Sequence, residues 1–178
     1  MKIIKHFITI TRHRHMVLRY CFRCGLYKQG LLHDLSKYGK TEFFNGVKFY
    51  SGTYSPHHNE RKEKGYSDAW LHHKGRNKLH SEYWYDVDLK TRQYVPVKMP
   101  DCYVAEMICD RIAASKNYNR KNYSRDIPLN YFLNEHDILM HADTRALVLK
   151  LLTMYKDYGE KTTFKYLKKN FHSKKCTY

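Results

Sequence analysis

Residues 100–116, PDCYVAEMICDRIAASK, constrain this chain more than any other stretch. Apolar residues recur there at helical spacing, and Pro100 suits the first helical position. Tyr103, Glu106, Met107, Asp110, Ala113 and Ala114 share one face of the helix. Asp110 thus falls in the middle of a core-facing stripe, beside small alanines. A carboxylate buried there needs a positive partner or a metal ion. Glu106, one turn earlier, is expected to support such a group. Any fold built on this helix must bring cationic or metal-ligating partners to it.

Other segments offer those partners. A first helix, predicted over 5–24, places His13 on the face of Val17, Tyr20, Cys21 and Cys24, whereas His15 points about 200° away, toward solvent. The stretch GLLHDLSKY at 30–38 sets His33 beside Asp34 directly after an apolar pair, in a helix predicted over 27–37. A fourth helix, predicted over 67–85, carries Trp70, His73, Asn77, His80 and Trp84 within roughly 80° of arc. Burying two imidazoles and an amide costs a few kcal/mol unless each is satisfied. A bound metal satisfies imidazoles directly. His72 lies about 100° off this stripe and is the weaker candidate. The His73–His80 coupling requires a helix regular through Gly75, which costs about 1 kcal/mol in a helix interior. Together His13, His33, Asp34, His73, His80 and Asp110 form a mixed N/O set for one or two divalent ions of Mn, Fe, Ni, Co or Zn. Asn77 and Glu106 are expected to support the ligands. Arg76, about 60° from the His stripe, is a candidate for substrate binding, while Lys74 and Arg111 are expected on the surface.

The remainder reads as a predominantly α domain over 1–160 with a basic tail from 161 to 178. A third helix is predicted from an N-cap at Thr41 to near Gly52, and residues 51–65, SGTYSPHHNERKEKG, read as a mobile loop. VDLKTRQYVPV alternates weakly about a polar centre, the pattern of one small hairpin. Further helices are predicted near 129–136 and 144–158, with Gly159 as a stop. The five cysteines are odd in number and lack the spacing of a closed metal knuckle, so reduced, helix-packing thiols in the cytoplasm are expected. No run of about 18 apolar residues occurs, and the basic, interrupted N-terminus lacks the pattern of a signal peptide, so no membrane partner is expected. A net charge of +16 favours an anionic partner, either a small-molecule substrate or nucleic acid.

The order His13 … His33-Asp34 … His73 … His80 … Asp110 on a helical chain resembles the HD-domain superfamily of metal-dependent phosphohydrolases. Over about residues 6–160 the chain also resembles an uncharacterised bacterial and phage family marked by GLLHDLSKY, GYSDAWLHHKGRNK and KMPDCYVAEMICDRIAASK. Leu79 departs from the expected His-His pair. The resemblance implies an HD-like bundle of about 6–7 helices in which Asp34 bridges two metals and orients the nucleophile. HDLSK is similar to the HD-x-x-K variant, which implies that Lys37 approaches the substrate phosphate. The implied activity is hydrolysis of a phosphoester, a nucleotide or a phosphorylated metabolite, by metal-activated water. The alternatives are an HD-type di-iron oxygenase and a basic nucleic-acid-binding protein.

Overall fold

A computed structural model describes residues 1–135 and 138–171. The order is α1 (Lys2–Arg23), α2 (Tyr27–Leu32), α3 (Lys40–Lys48), α4 (Pro56–Lys64), α5 (Asp68–Lys74), β1 (Tyr85–Val87), β2 (Tyr94–Pro96), α6 (Asp101–Asn119), α7 (Ile127–Leu133) and α8 (Ala142–Phe171). The fold is mostly α with one small antiparallel hairpin, in which Asp86 pairs with Val95. No described helix is long and apolar enough to cross a membrane.

Helix α6 is the axis. The sequence predicts one buried face, but Val104, Ala105, Met107, Ile108, Cys109, Ile112 and Ala113 are all nearly inaccessible. A helix buried over most of its circumference is one surrounded by other elements. Helix α1 packs on one side of it and α8 on another. Cys21, Cys24 and Cys109 are free, buried thiols at the α1–α6 contact, with the sulfurs of Cys24 and Cys109 3.7 Å apart. These three pack as expected.

Several boundaries move. The helix predicted over 27–37 ends at Leu32; a tight turn follows, and a single 3-10 turn covers Leu35–Tyr38. Helix α3 starts at Lys40 after Gly39, not at a Thr41 cap. The expected loop at 51–65 contains α4, which opens with Pro56 at its start and closes with Gly65 in a left-handed conformation (φ 82°). Those residues are a helix's ordinary start and stop signals. The helix predicted over 67–85 ends at Lys74, where Gly75 follows, and residues 75–84 leave it apart from a short turn at Ser81–Tyr83. Residues 129–136 are helical only to Leu133, and His136 lies outside the described residues.

The basic stretch from 161 is no separate tail. Gly159 (φ 74°, ψ −173°) leaves the helical conformation, as the expected stop requires, and a second helical segment of α8 follows it to Phe171. Its charged residues face outward while Phe164 and Leu167 reach the core. The Phe164 ring lies 5.1 Å from that of Tyr20 and under the Arg23 guanidinium at 4.7 Å. Residues 172–178 lie outside the described residues. Phe164→Ala is therefore expected to cost about 3–5 kcal/mol. Thermal unfolding should show a drop of roughly 10 °C in a chain of this length. A loss under about 1 kcal/mol would mean that this segment adds nothing to the core.

Candidate metal centre

The site starts with a break in the chain. His33 ends α2 in an extended conformation, and Asp34 adopts φ 55°, ψ 20°. Aspartate tolerates this left-handed region better than most residues. In a continuous helix, adjacent side chains diverge by about 100°. Here the turn brings His33 Nε2 to 3.3 Å from Asp34 Oδ2.

Two long helices complete the group. From α1, His13 Nε2 lies 3.4 Å from Asp34 Oδ2 and 2.9 Å from Asp110 Oδ1. From α6, the same Asp110 oxygen lies 3.4 Å from His33 Nε2. Ligand atoms of His13, His33, Asp34 and Asp110 all lie within 4.8 Å of one another. His15, as expected, is exposed and turns back on the Thr11 carbonyl.

These atoms are close without being aligned. His13 Nε2, His33 Nε2 and Asp34 Oδ1 are buried and lack a hydrogen-bond partner of adequate geometry among the described residues. The same holds for the Nε2 atoms of His73 and His80. Buried polar groups are nearly always paired, so five orphans in one region require an explanation. Nitrogens and carboxylate oxygens gathered this closely without aligned hydrogen bonds suit a bound cation, which would displace the proton of any charged imidazole.

The second nitrogens are anchored. His33 Nδ1 contacts Glu106 at 3.1 Å, and His73 Nδ1 contacts Glu42 at 2.8 Å. A carboxylate behind an imidazole fixes the ring and its tautomer and leaves Nε2 for a ligand. His73 Nε2 lies 3.3 Å from Asp34 Oδ1, the oxygen turned away from His13. The rings of His73 and His80 are 4.9 Å apart although the helix between them has ended. The Asn77 amide donates to the His73 carbonyl and to Ser36, so it supports this strand of the site.

Charge follows the same geometry. Burial opposes ionisation of Asp34, but His33 and Lys37 outweigh it and hold the carboxyl well below its usual range. Burial likewise opposes the charge on His33, and Asp34, Asp110 and Glu106 carry its pKa well above the ordinary value. Lys37 Nζ sits 2.5 Å from Asp34 Oδ2.

Arg76 does not join. With α5 ended at Lys74, its phase no longer points toward the ligands; it is exposed and donates to the His72 carbonyl at 3.1 Å. Leu79 is an ordinary buried apolar residue. Arg111 pairs with Glu135 at 2.7 Å.

Sequence reasoning missed Glu42, His57 and Glu60. Glu42 lies on a buried line with Gly46 and Phe49, at i, i+4 and i+7, the same signal that marked Asp110. His72, set aside by phase, is also bound to Glu42, at 2.7 Å. Glu60 is buried and accepts from Ser67 at 2.6 Å, Asn45 at 2.7 Å and Lys64 at 3.1 Å. Burial opposes its charge, yet these bonds prevail and hold its pKa at about 2 against an ordinary 4.5. A depressed pKa stabilises the fold above the unfolded value and loses that contribution as pH falls through the folded one. The stability gap between the wild type and Glu60→Gln should therefore shrink as pH drops from about 4.5 toward 2. Urea midpoints at pH 6 and pH 3 measure it, and a gap independent of pH would show that Glu60 is not held as an anion.

No curated protein matches the chain, and no solved structure does. The model of one protein family matches residues 2–154, which include every residue of the centre. The chain belongs to that family, described as a family of unknown function, DUF5662.

Proposed function

We propose that this chain is a metal-dependent hydrolase of a phosphoester, acting on a nucleotide or a phosphorylated metabolite. The observation that carries the reading is the convergence of His13, His33, Asp34 and Asp110 within 4.8 Å, with the buried Nε2 atoms of His13 and His33 lacking an aligned hydrogen bond among the described residues. A core hydrogen-bond network would instead turn donors toward acceptors. Two imidazoles and two carboxylates suit Mn, Fe, Ni, Co or Zn. His73 and His80 supply nitrogens for a second ion that would share Asp34, whose other oxygen already faces His73. When bound, such ions supply Lewis acidity toward a phosphoryl oxygen and a water-derived nucleophile near neutral pH.

The chain's own residues set up that chemistry. Asp34 presents one oxygen to each half of the centre. Glu106 and Glu42 keep the rings of His33 and His73 from turning. Lys37 offers a cation beside Asp34, where it neutralises charge on an arriving phosphoryl group. Asp110 has the most exposed side chain of the four, 18% against 8% or less, so substrate approaches from its side. The overall charge of +16 draws anions toward that opening.

Elemental analysis of protein purified without added metal tests the reading, alongside Asp34→Ala. The wild type should carry one or two equivalents of Mn, Fe, Ni, Co or Zn and hydrolyse phosphoesters without dioxygen. The variant should lose both. No metal in either protein, and none taken up from Mn or Fe solutions, would overturn the proposal. Turnover that requires iron and dioxygen would replace the hydrolase with an oxygenase on the same ligands.

A further inference from the structure

Beside the centre lies a cavity of about 40 Å³, lined by Lys37, His57, Tyr118, Thr9 and Tyr50 among others. Lys37 joins the two places: its side chain lines the cavity and its ammonium contacts Asp34. A water takes roughly 10–15 Å³ by this measure, so the cavity holds about three water-sized groups. That is the scale of the free oxygens of one phosphoryl group. Glu42 also lines the cavity, but its two oxygens are engaged by His72 and His73.

The protons on His57 can be assigned from its neighbours. The hydroxyl of Ser67 donates to Glu60 at 2.6 Å, and Glu60 is an anion that only accepts. That commits the one hydrogen of Ser67. Its oxygen accepts from the Trp70 backbone N–H at 3.0 Å and lies 3.3 Å from His57 Nδ1. With no second hydroxyl hydrogen available, His57 Nδ1–H must be the donor in that contact. A neutral ring then carries a lone pair on Nε2, the nitrogen left for the cavity.

We infer that this cavity binds a phosphoryl group that carries a proton, with Lys37 pairing its anionic oxygen and His57 Nε2 accepting its P–O–H. The inference rests on the hydrolase reading and narrows its substrate to phosphate monoesters. A diester or a sulfate is of similar shape and charge but has no hydrogen to give. It would set an oxygen lone pair against the Nε2 lone pair of the half-buried His57, and sites built to bond a hydroxyl reject analogues that lack it. A phosphate monoester loses its last hydrogen with a pKa of about 6, so the site selects the monoanion, whereas inorganic phosphate has a third hydrogen and every one of its ions retains at least one at pH 6.5.

Isothermal titration of the full chain at pH 6.5 with sodium phosphate, and separately with sodium sulfate, tests this. Phosphate should bind at least about tenfold more tightly than sulfate. His57→Ala should abolish the preference. Ser67→Ala keeps the imidazole but frees its tautomer, and should narrow the preference even if the His57 variant fails to fold. Equal affinity for the two anions in the wild type, binding of neither, or a preference unchanged in both variants would overturn the inference. Metal content of the same preparations separates the two readings. Bound metal without anion discrimination removes the pocket and leaves the hydrolase. Discrimination lost in the variants of a metal-free protein keeps the pocket and removes the hydrolase.

Discussion

Asp34 is a carboxylate with 2% of its surface exposed, and the surrounding structure is arranged to hold its charge. An uncompensated buried carboxylate costs several kcal/mol, and removing a partner from such a group is strongly destabilising. The compensation comes from four directions. His13 arrives on α1, His33 from the end of α2, His73 on α5 and Lys37 from the next turn of the chain. Asp110 adds a second negative charge against two of these imidazoles. The elements that meet at this point are the ones that pack on α6 and around it, so the polar centre and the apolar core constrain each other.

A second tier of carboxylates supports the proposal that the centre holds a ligand and is not a closed ion network. Glu106 and Glu42 take the Nδ1 atoms of His33 and His73. Were the ring nitrogens nearest Asp34 equally well bonded, the cluster would be complete in itself. They are not: the Nε2 atoms of His13, His33 and His73 lack an aligned partner among the described residues. Beyond them the Glu60–Ser67–His57 chain repeats the device at one remove, fixing an imidazole by its outer nitrogen. The repetition ties the metal reading and the anion pocket to one physical principle: a lone pair is useful only where its tautomer is settled.

Much of the centre was legible because α1 and α6 are long and regular. Over such helices phase carries real information, so His13 separated from His15 and Asp110 fell on an inward stripe. His33 and Asp34 were found for a different reason than the one that unites them: their convergence comes from the left-handed turn at Asp34, which a continuous helix would have denied. His80 was reached by a phase argument that fails at Gly75, yet it stands beside His73, because the chain after the helix folds back under Trp70. Arg76 was lost by the same break. Glu42 and His57 sit on helices of nine residues each, too short for an amphipathic pattern to stand out. In α8 the lysines between Phe164 and Phe171 concealed a helix that buries only a few positions per turn. Where local regularity ran out, tertiary packing decided, and that is written in no single window of sequence.

The most direct test of the account is the anomalous scattering of a crystal soaked in Mn or Fe. A peak is expected about 2.0–2.3 Å from His13 Nε2, His33 Nε2 and one oxygen each of Asp34 and Asp110. A second peak near His73 and His80 would mark the shared-carboxylate arrangement. A map with no peak among these four residues, or with an ordered hydrogen-bonded network that pairs the nitrogens to the carboxylates, would contradict it.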